Sequence, residues 1–403
     1  MDSIILKMIP REQFADYRYN VIFNAYKWDP QVEDVSTVAE CVLVIGKDTA
    51  IKLEKWAEQL SQETVEMEEE LITRPFLMRK LGLPVKIQNS LKVVKNYDKN
   101  KNIRLMRFDF HPTESGWNVS EVNSDVPGGL AEASVLPKIA GEYFPEYTFG
   151  KNTAEELFQA FKNVLLGPDV IAFVHATSYS DDRQVMQFLS DYFNKHGLKT
   201  IFAAPDHIKW EGNDAICFGN KVGAILRFFP LEWLPNLPRK VNWKGYFTYA
   251  VPSCNHPIAI LLQSKRIPLV WDELGTDVST WRSLLPETRD PRDVHDNDGW
   301  IYKPALGRVG EGISIKPAVS DKELGIIKKA VKRSSGDWVA QRMFTSKPVE
   351  TSEGDLYHIC VGVFTVNGKS AGMYGRINTY PRIDAKAKDI PVLISGKGDQ
   401  DAE

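Results

Sequence analysis

The sequence predicts a mixed α/β protein, and three stretches carry that prediction. The apolar run VIAFVHA (170–176) leads into a helical segment from about Asp182 to His196, then into KTIFAA, the order of a β-α-β unit. Two further strands, IRLMRFDF and GWNVSEVNSD, flank the turn Pro112–Gly116. A long helix from about Thr49 to Leu71, with Ile51, Trp56 and Leu60 near helical spacing, supplies an amphipathic counterpart.

The remaining elements follow in chain order. Residues 1–45 are mixed, with aromatics around Tyr17–Trp28, and the acid run Glu68–Glu70 reads as the solvated end of the long helix. LKVVKNY (91–97) reads as a strand. Thr153-x-x-Glu156 is a capping box that opens a helix carrying Leu157, Phe161 and Leu165. After the β-α-β unit, whose helix ends at Gly197, comes the hairpin DAICFGNKVGAILRFF. The last third holds the strand WIYKPAL, a Gly-rich loop and a helix capped by Ser320-x-x-Glu323. The strand DWVAQRMF follows, then a hairpin turning at Asn367-Gly368, a pair suited to a type I′ turn.

Composition excludes several classes. With 43% hydrophobic and 26% charged residues the chain can bury a large core. A net charge of −3 gives no general field for nucleic acid or anionic membrane. No apolar run reaches the roughly 20 residues of a membrane span, and the start, MDSIILKMIPREQF, is a poor signal peptide. Cys41, Cys217, Cys254 and Cys360 are scattered; they read as reduced packing residues of a cytoplasmic protein. The seven histidines show no metal spacing, and no G-x-S-x-G stands out.

Two segments hold the chemistry. Alternate strand residues share a face, so Arg107 lies with Asp109, and Glu121 with Asn123. If those strands pair, two carboxylates and an amide oxygen converge beside a guanidinium, hard donors suited to Mg²⁺. The same pattern also fits a solvated hairpin with an exposed ion pair. In WIYKPALGRVGEGISI, Lys303 sits in an apolar strand, where an ammonium needs a partner such as a phosphate. Gly307, Gly310 and Gly312 let backbone approach phosphate oxygens, and Arg308 offers a counter-charge. The loop is neither a Walker P-loop nor a dinucleotide fingerprint, and a plain hairpin turn fits it equally. Lys265, Arg227 and Arg376 are further charges in apolar settings, and Gln341 lies in a strand.

Taken in order, these segments resemble the synthetase half of glutathionylspermidine synthase and its shorter relatives. Arg107, Asp109, Glu121, Asn123 and Asp125 match the family's Arg-x-Asp … Glu-x-Asn-x-Asp pattern. RFFPLEW (227–233), Gln263-Ser264-Lys265 with Trp271, Lys303-Pro304, Gly307-Arg308-Val309-Gly310, Val339-Ala340-Gln341 and Gly375-Arg376 follow in family order. The resemblance spans residues 90–395. It implies a permuted ATP-grasp fold with a Rossmann-like pre-ATP-grasp subdomain. It divides the chain into an N-terminal helical region (1–90), metal-binding strands (91–150), the Rossmann-like region (151–255) and a nucleotide-binding lid with its strands (256–395).

By that resemblance, Asp109, Glu121 and Asn123 hold Mg²⁺, while Lys265, Lys303, Gly307, Gly310 and Gln341 bind ATP. Arg107, Arg308 and Arg376 surround the γ-phosphate and an acyl phosphate. The implied reaction joins a small-molecule carboxylate to an amine, whether amino acid, peptide or polyamine-like, with no nucleic acid or membrane partner. Two departures bear on substrate. The family's small hydroxyl- and thiol-bearing stretch is Asp125-Val126-Pro127-Gly128-Gly129 here, which counts against glutathione as acyl donor, and Val309 replaces the usual Glu of the lid. No room precedes residue 90 for an amidase half, so ligation without product hydrolysis is expected. An ATP-dependent phosphotransferase and a non-catalytic nucleotide-binding partner protein are the alternatives.

Overall fold

The computed structural model describes residues 4–28, 30–94, 97–165, 167, 169–295, 299–307, 312–315 and 318–396. Its centre is an antiparallel sheet in the spatial order Lys388–Ile390, Lys369–Asn378, Leu356–Val366, Leu105–Thr113, Gly116–Asn123. Strand alternation divides its residues between two environments. Met106, Phe108 and Phe110 face the long helix Lys47–Ile72, packing with Leu53, Ala57 and Leu60, together with Val361 and Val363 from the neighbouring strand. Leu105, Phe364, Val366, Ala371 and Tyr374 pack instead with Leu130, Leu157 and Phe161 from the helices Leu130–Tyr143 and Thr153–Val164. Arg107 and Asp109 share this second face.

The β-α-β expectation holds. Val170–His175 and Thr200–Ala203 are parallel neighbours joined by the helix Ser180–Lys195, and the hairpin Asp214–Cys217/Asn220–Phe228 extends the same sheet. A small antiparallel sheet of Thr288–Arg289, Trp338–Arg342 and Trp300–Pro304 is backed by the helix Asp321–Arg333. A fourth sheet joins segments from near the two ends of the chain, Ile4–Met8 and Cys41–Gly46 with Val392–Ser395. The Asn367-Gly368 turn has φ of 49° and 82°, the left-handed pair that a type I′ hairpin requires. All four cysteines are free and buried. Among the described residues no helix is long and apolar enough to cross a membrane.

Three local expectations fail for physical reasons. Leu91 ends the helix Val85–Leu91 and residues 92–93 form a turn, because burial of Ile87 and Leu91 on one helical face outweighs the strand propensity of the valines; residues 95–96 of the expected strand lie outside the described residues. The helix at 153 is capped by Asn152, whose Oδ1 accepts from the Ala154 and Glu155 amides; Thr153 Oγ1 donates instead to the Ala371 carbonyl. The run Glu68–Glu70 is not a solvated face. Glu68 is fully buried against Arg104, which donates to it at 2.6 and 3.1 Å, and Glu70 accepts from the Gly275 and Thr276 amides.

Candidate active site

The hairpin Leu105–Asn123 is built to converge its polar side chains. Register pairs Arg107 with Asn123 and Asp109 with Glu121, so all four stand on one face and line a cavity of about 680 Å³. A bulge beyond Asp109 leaves Ser120 as the extra residue, turning its carbonyl toward Lys303 Nζ at 3.4 Å. Arg107 donates from Nε and Nη2 to the two Asp109 oxygens at 2.7 and 2.9 Å, a bidentate pair, and from Nη1 to the Gly128 carbonyl at 2.6 Å. Asn123 Nδ2 donates to Asp109 Oδ2 at 3.0 Å.

Neighbouring strands complete this wall. Gly362 lies opposite Asp109, and a Cβ there would stand 2.7 Å from Arg107 Cδ; only glycine leaves the guanidinium its path. Tyr374 follows opposite Gly362, and its ring carries the Arg107 guanidinium at 5.1 Å from the centroid. Arg376, opposite Cys360, donates to the Asp384 and Ala387 carbonyls and lies 3.8 Å from Asp389. Its Nε is buried without a hydrogen bond among the described residues.

Lysines approach from the opposite side. Lys265 Nζ lies 2.9 Å from Glu121 and donates to the Gly307 carbonyl at 2.7 Å, so it ties the hairpin to the start of the Gly-rich loop. In the small sheet, Ile301 pairs with Gln341 and Lys303 with Val339, which sets Lys303 and Gln341 on one face. Gln341 donates to Thr288 Oγ1 while its buried Oε1 accepts no hydrogen bond from the described residues. Burial pushes the Lys303 ammonium down to about 8, against the pull of Glu121. Burial would raise the Glu121 carboxyl, but Lys265 and Lys303 outweigh it and hold it below the usual carboxylate value. Arg308 and Gly310 lie outside the described residues.

The structure therefore brings Arg107, Asp109, Glu121, Asn123, Lys303 and Arg376 to one cavity, with Lys265 paired to Glu121 and Gln341 sharing the face of Lys303. The donor set fits a hard divalent cation. Two carboxylates and an amide oxygen on paired strands leave the rest of an octahedral shell to water and phosphate. Among the described residues no group of three or more His, Cys, Asp or Glu side chains is placed to hold a metal ion, so a cation here would rest on two carboxylates and depend on water and phosphate for the rest of its shell. Sequence reading missed Tyr374, Gly362, Asp389, Glu132 and Lys27. Alternation of Tyr374 with Arg376 along the strand Lys369–Asn378 was a usable signal for the first; nothing local marks Lys27.

Comparison with known proteins bears on the family and the fold. The chain matches the model of the glutathionylspermidine synthase pre-ATP-grasp family over residues 11–395. Its fold superposes on that of a glutathione synthetase-like effector from Globodera pallida, in apo form, with a TM-score of 0.66 at 11% identity, covering 95% of this chain and 96% of that one. A putative gamma-glutamylcysteine synthetase from Methylobacillus flagellatus superposes more loosely, with a TM-score of 0.44 at 12% identity over 80% of this chain and 87% of that one. No curated protein matches the sequence significantly. With a family match over nearly its whole length and an ATP-grasp-like α/β fold, the chain belongs to the glutathionylspermidine synthase family.

Proposed function

We propose that this protein is an ATP-dependent carboxylate–amine ligase that forms an amide through an acyl phosphate. The observation that carries the reading is the cavity wall itself. A bidentate Arg107–Asp109 pair, the Glu121 carboxylate and the Asn123 amide face the same space as Lys303 and Arg376. A carboxylate is a poor electrophile. Transfer of the γ-phosphoryl group of ATP to one of its oxygens breaks the β–γ bridge and releases ADP. The amine nitrogen then attacks the acyl carbon, inorganic phosphate leaves, and the nitrogen loses a proton.

In this reading Lys265, Lys303, Gly307, Gly310 and Gln341 bind ATP, and the unpaired Gln341 Oε1 suits an adenine amino group. Asp109, Glu121 and Asn123 would hold Mg²⁺, which supplies charge neutralisation on the transferring phosphate. Arg107 and Arg376, with Arg308, meet the charge spread over the phosphoryl oxygens. The same cavity walls exclude water from the acyl phosphate.

The test is ADP release from the purified protein with pools of small acids and amines. The expected result is release that requires both. A phosphorylated acid that accumulates equally without amine would instead make the protein a phosphotransferase. Tight ATP binding with no turnover on any pair would make it a nucleotide-binding partner protein.

A further inference from the structure

The net charge of −3 averages over an uneven distribution. Residues 71–97 and 233–271 hold eleven of the chain's 50 basic side chains and none of its 53 acidic ones. Four of these cations are tied to carboxylates from other segments: Lys265 to Glu121, Arg266 to Asp290, Arg74 to Glu70 and Lys80 to Glu273. Arg79, Lys86, Lys92, Arg239, Lys240 and Lys244 are exposed and form no ion pair among the described residues. The fold brings the two acid-free runs together. The helix Val85–Leu91 packs on the 3₁₀ turn Leu231–Asn236, and Arg239, Lys240 and Lys244 follow directly after that turn.

The outward face of this helix mixes cations with bare aliphatic groups. The helix buries Ile87, Ser90 and Leu91 and turns Val85, Lys86 and Asn89 to solvent; Lys92 keeps helical dihedrals, so it and Val93 extend the same face. Val85 is 70% exposed and Val93 46%, and Phe76, in the preceding helix Pro75–Met78, is 58% exposed. A surface shaped only for solubility interleaves both signs of charge and keeps apolar side chains scattered. Here one sign stands alone among exposed valines. That combination matches the headgroup layer of an anionic bilayer, where ammonium groups meet lipid phosphates and carboxylates while apolar side chains enter the acyl boundary. Nucleic acid would engage the cations, but its phosphates and base faces offer two valines nothing to pack on. We infer that this face docks on an anionic lipid bilayer, with Lys86 and Lys92 at the headgroups and Val85 and Val93 inserted between them. Docking of this kind is independent of the cavity and of the ligase reading.

Co-sedimentation of the full chain with lipid vesicles tests this. The probes are vesicles of phosphatidylcholine alone and of phosphatidylcholine with about one-third phosphatidylserine, at about 0.1 M salt. The mixed vesicles should bind the protein at least about tenfold more strongly than the neutral ones. Binding should be lost at about 0.5 M salt, where the screening length falls to about 4 Å. Lys86→Ala and Lys92→Ala should each lower the partition coefficient about fivefold, the loss expected for one cation at a charged surface. Val85→Asn should lower it about threefold through lost apolar insertion. Lys162→Ala, in the helix Thr153–Val164 on the other side of the central sheet, should leave it unchanged. Melting curves check that each exposed substitution leaves the fold intact. Equal binding to neutral and mixed vesicles overturns the assignment, as does binding to neither. So does a loss in Lys162→Ala as large as that in Lys86→Ala. Tighter binding to single-stranded DNA or to polyglutamate than to the mixed vesicles, at the same salt, would replace the bilayer with a nucleic-acid or an acidic protein partner.

Discussion

Two clusters of arginine and carboxylate lie close together in this molecule and are treated in opposite ways. Behind the hairpin, Arg227 and Asp125 are almost wholly shielded, with side chains 1% and 0% exposed. Every hydrogen-bonding group of that pair finds a fixed protein partner. Arg227 donates to the Phe229 and Asn255 carbonyls, and Asp125 Oδ2 accepts from the Leu231 amide. Arg104 with Glu68 and Ser124 repeats the pattern. On the cavity side the Arg107–Asp109 pair is also fully bonded, but it lines the same space as Arg376, whose Nε has no hydrogen bond among the described residues. Similar chemistry thus serves the fold where it is sealed in the interior and lies within reach of ligands where it lines a cavity.

The sharpest way to break this contrast is to remove one member of each cluster. Asp125→Ala leaves the Arg227 guanidinium buried without its counter-charge, and the expected cost is about 3–5 kcal/mol of stability. Chemical denaturation measures it, and a cost near that of a surface pair would dissolve the distinction. Arg107→Lys should behave differently. A lysine keeps the charge but loses the fork over Asp109 and the stack on Tyr374, so kcat for ADP release should fall by about 10²–10³, roughly 3–4 kcal/mol of barrier. The ATP KM and the melting temperature should move little. A large melting shift with near-normal kcat would place Arg107 with the structural cluster.

A smaller effect sharpens the comparison from the structural side. His256 borders the saturated cluster, accepts from the Ile258 amide through Nδ1 and packs on Tyr97. Burial, helped by the Arg227 and Arg104 guanidiniums, pushes its imidazole down to about 3. The unfolded chain binds a proton at this histidine below about pH 6.5, whereas the folded chain does not until about pH 3. Its contribution to stability is therefore intact above pH 6.5 and is lost as the pH falls through that window. His256→Asn keeps an acceptor for the Ile258 amide and removes the titration. Between pH 7 and pH 5 the variant should lose about 2 kcal/mol less stability than the parent, read from denaturation midpoints at each pH.

How far the sequence reached differs with the kind of feature. The helix Lys47–Ile72, the strands on either side of Gly116, the β-α-β unit and the Asn367-Gly368 turn were all readable, because each follows from a local period or a local dihedral demand. Ile51, chosen from that helix as an apolar marker, is half exposed, and the buried stripe runs instead through Leu53, Ala57, Leu60, Thr64, Met67 and Leu71. Period tells that a helix is amphipathic more firmly than it tells which side faces in. The cap at Asn152 and the turn after Leu91 turned on contacts within a few residues that propensity ranks poorly.

The candidate site shows the same division. Spacing by itself determined that Arg107 and Asp109 share a face, as do Glu121 and Asn123, since alternation is a property of one strand. That the two strands pair in the register that sets Asp109 beside Glu121 was decided by the hairpin and its bulge. Scattered spacing of the four cysteines argued against a disulfide scaffold, and all four are free and buried. Only the tertiary structure decided which charges are sealed in the interior and which line the cavity. In the sequence Glu68, Asp125 and Asp109 are simply three carboxylates. Their surroundings come from segments as distant as Arg104, Arg227 and Gly362, and a carboxylate's role is set by what the low-dielectric interior places against it. Lys27 and Glu132 reach the cavity in the same way, one from the loop after the helix Arg11–Asn24 and the other from the helix Leu130–Tyr143, and no local pattern encodes their meeting.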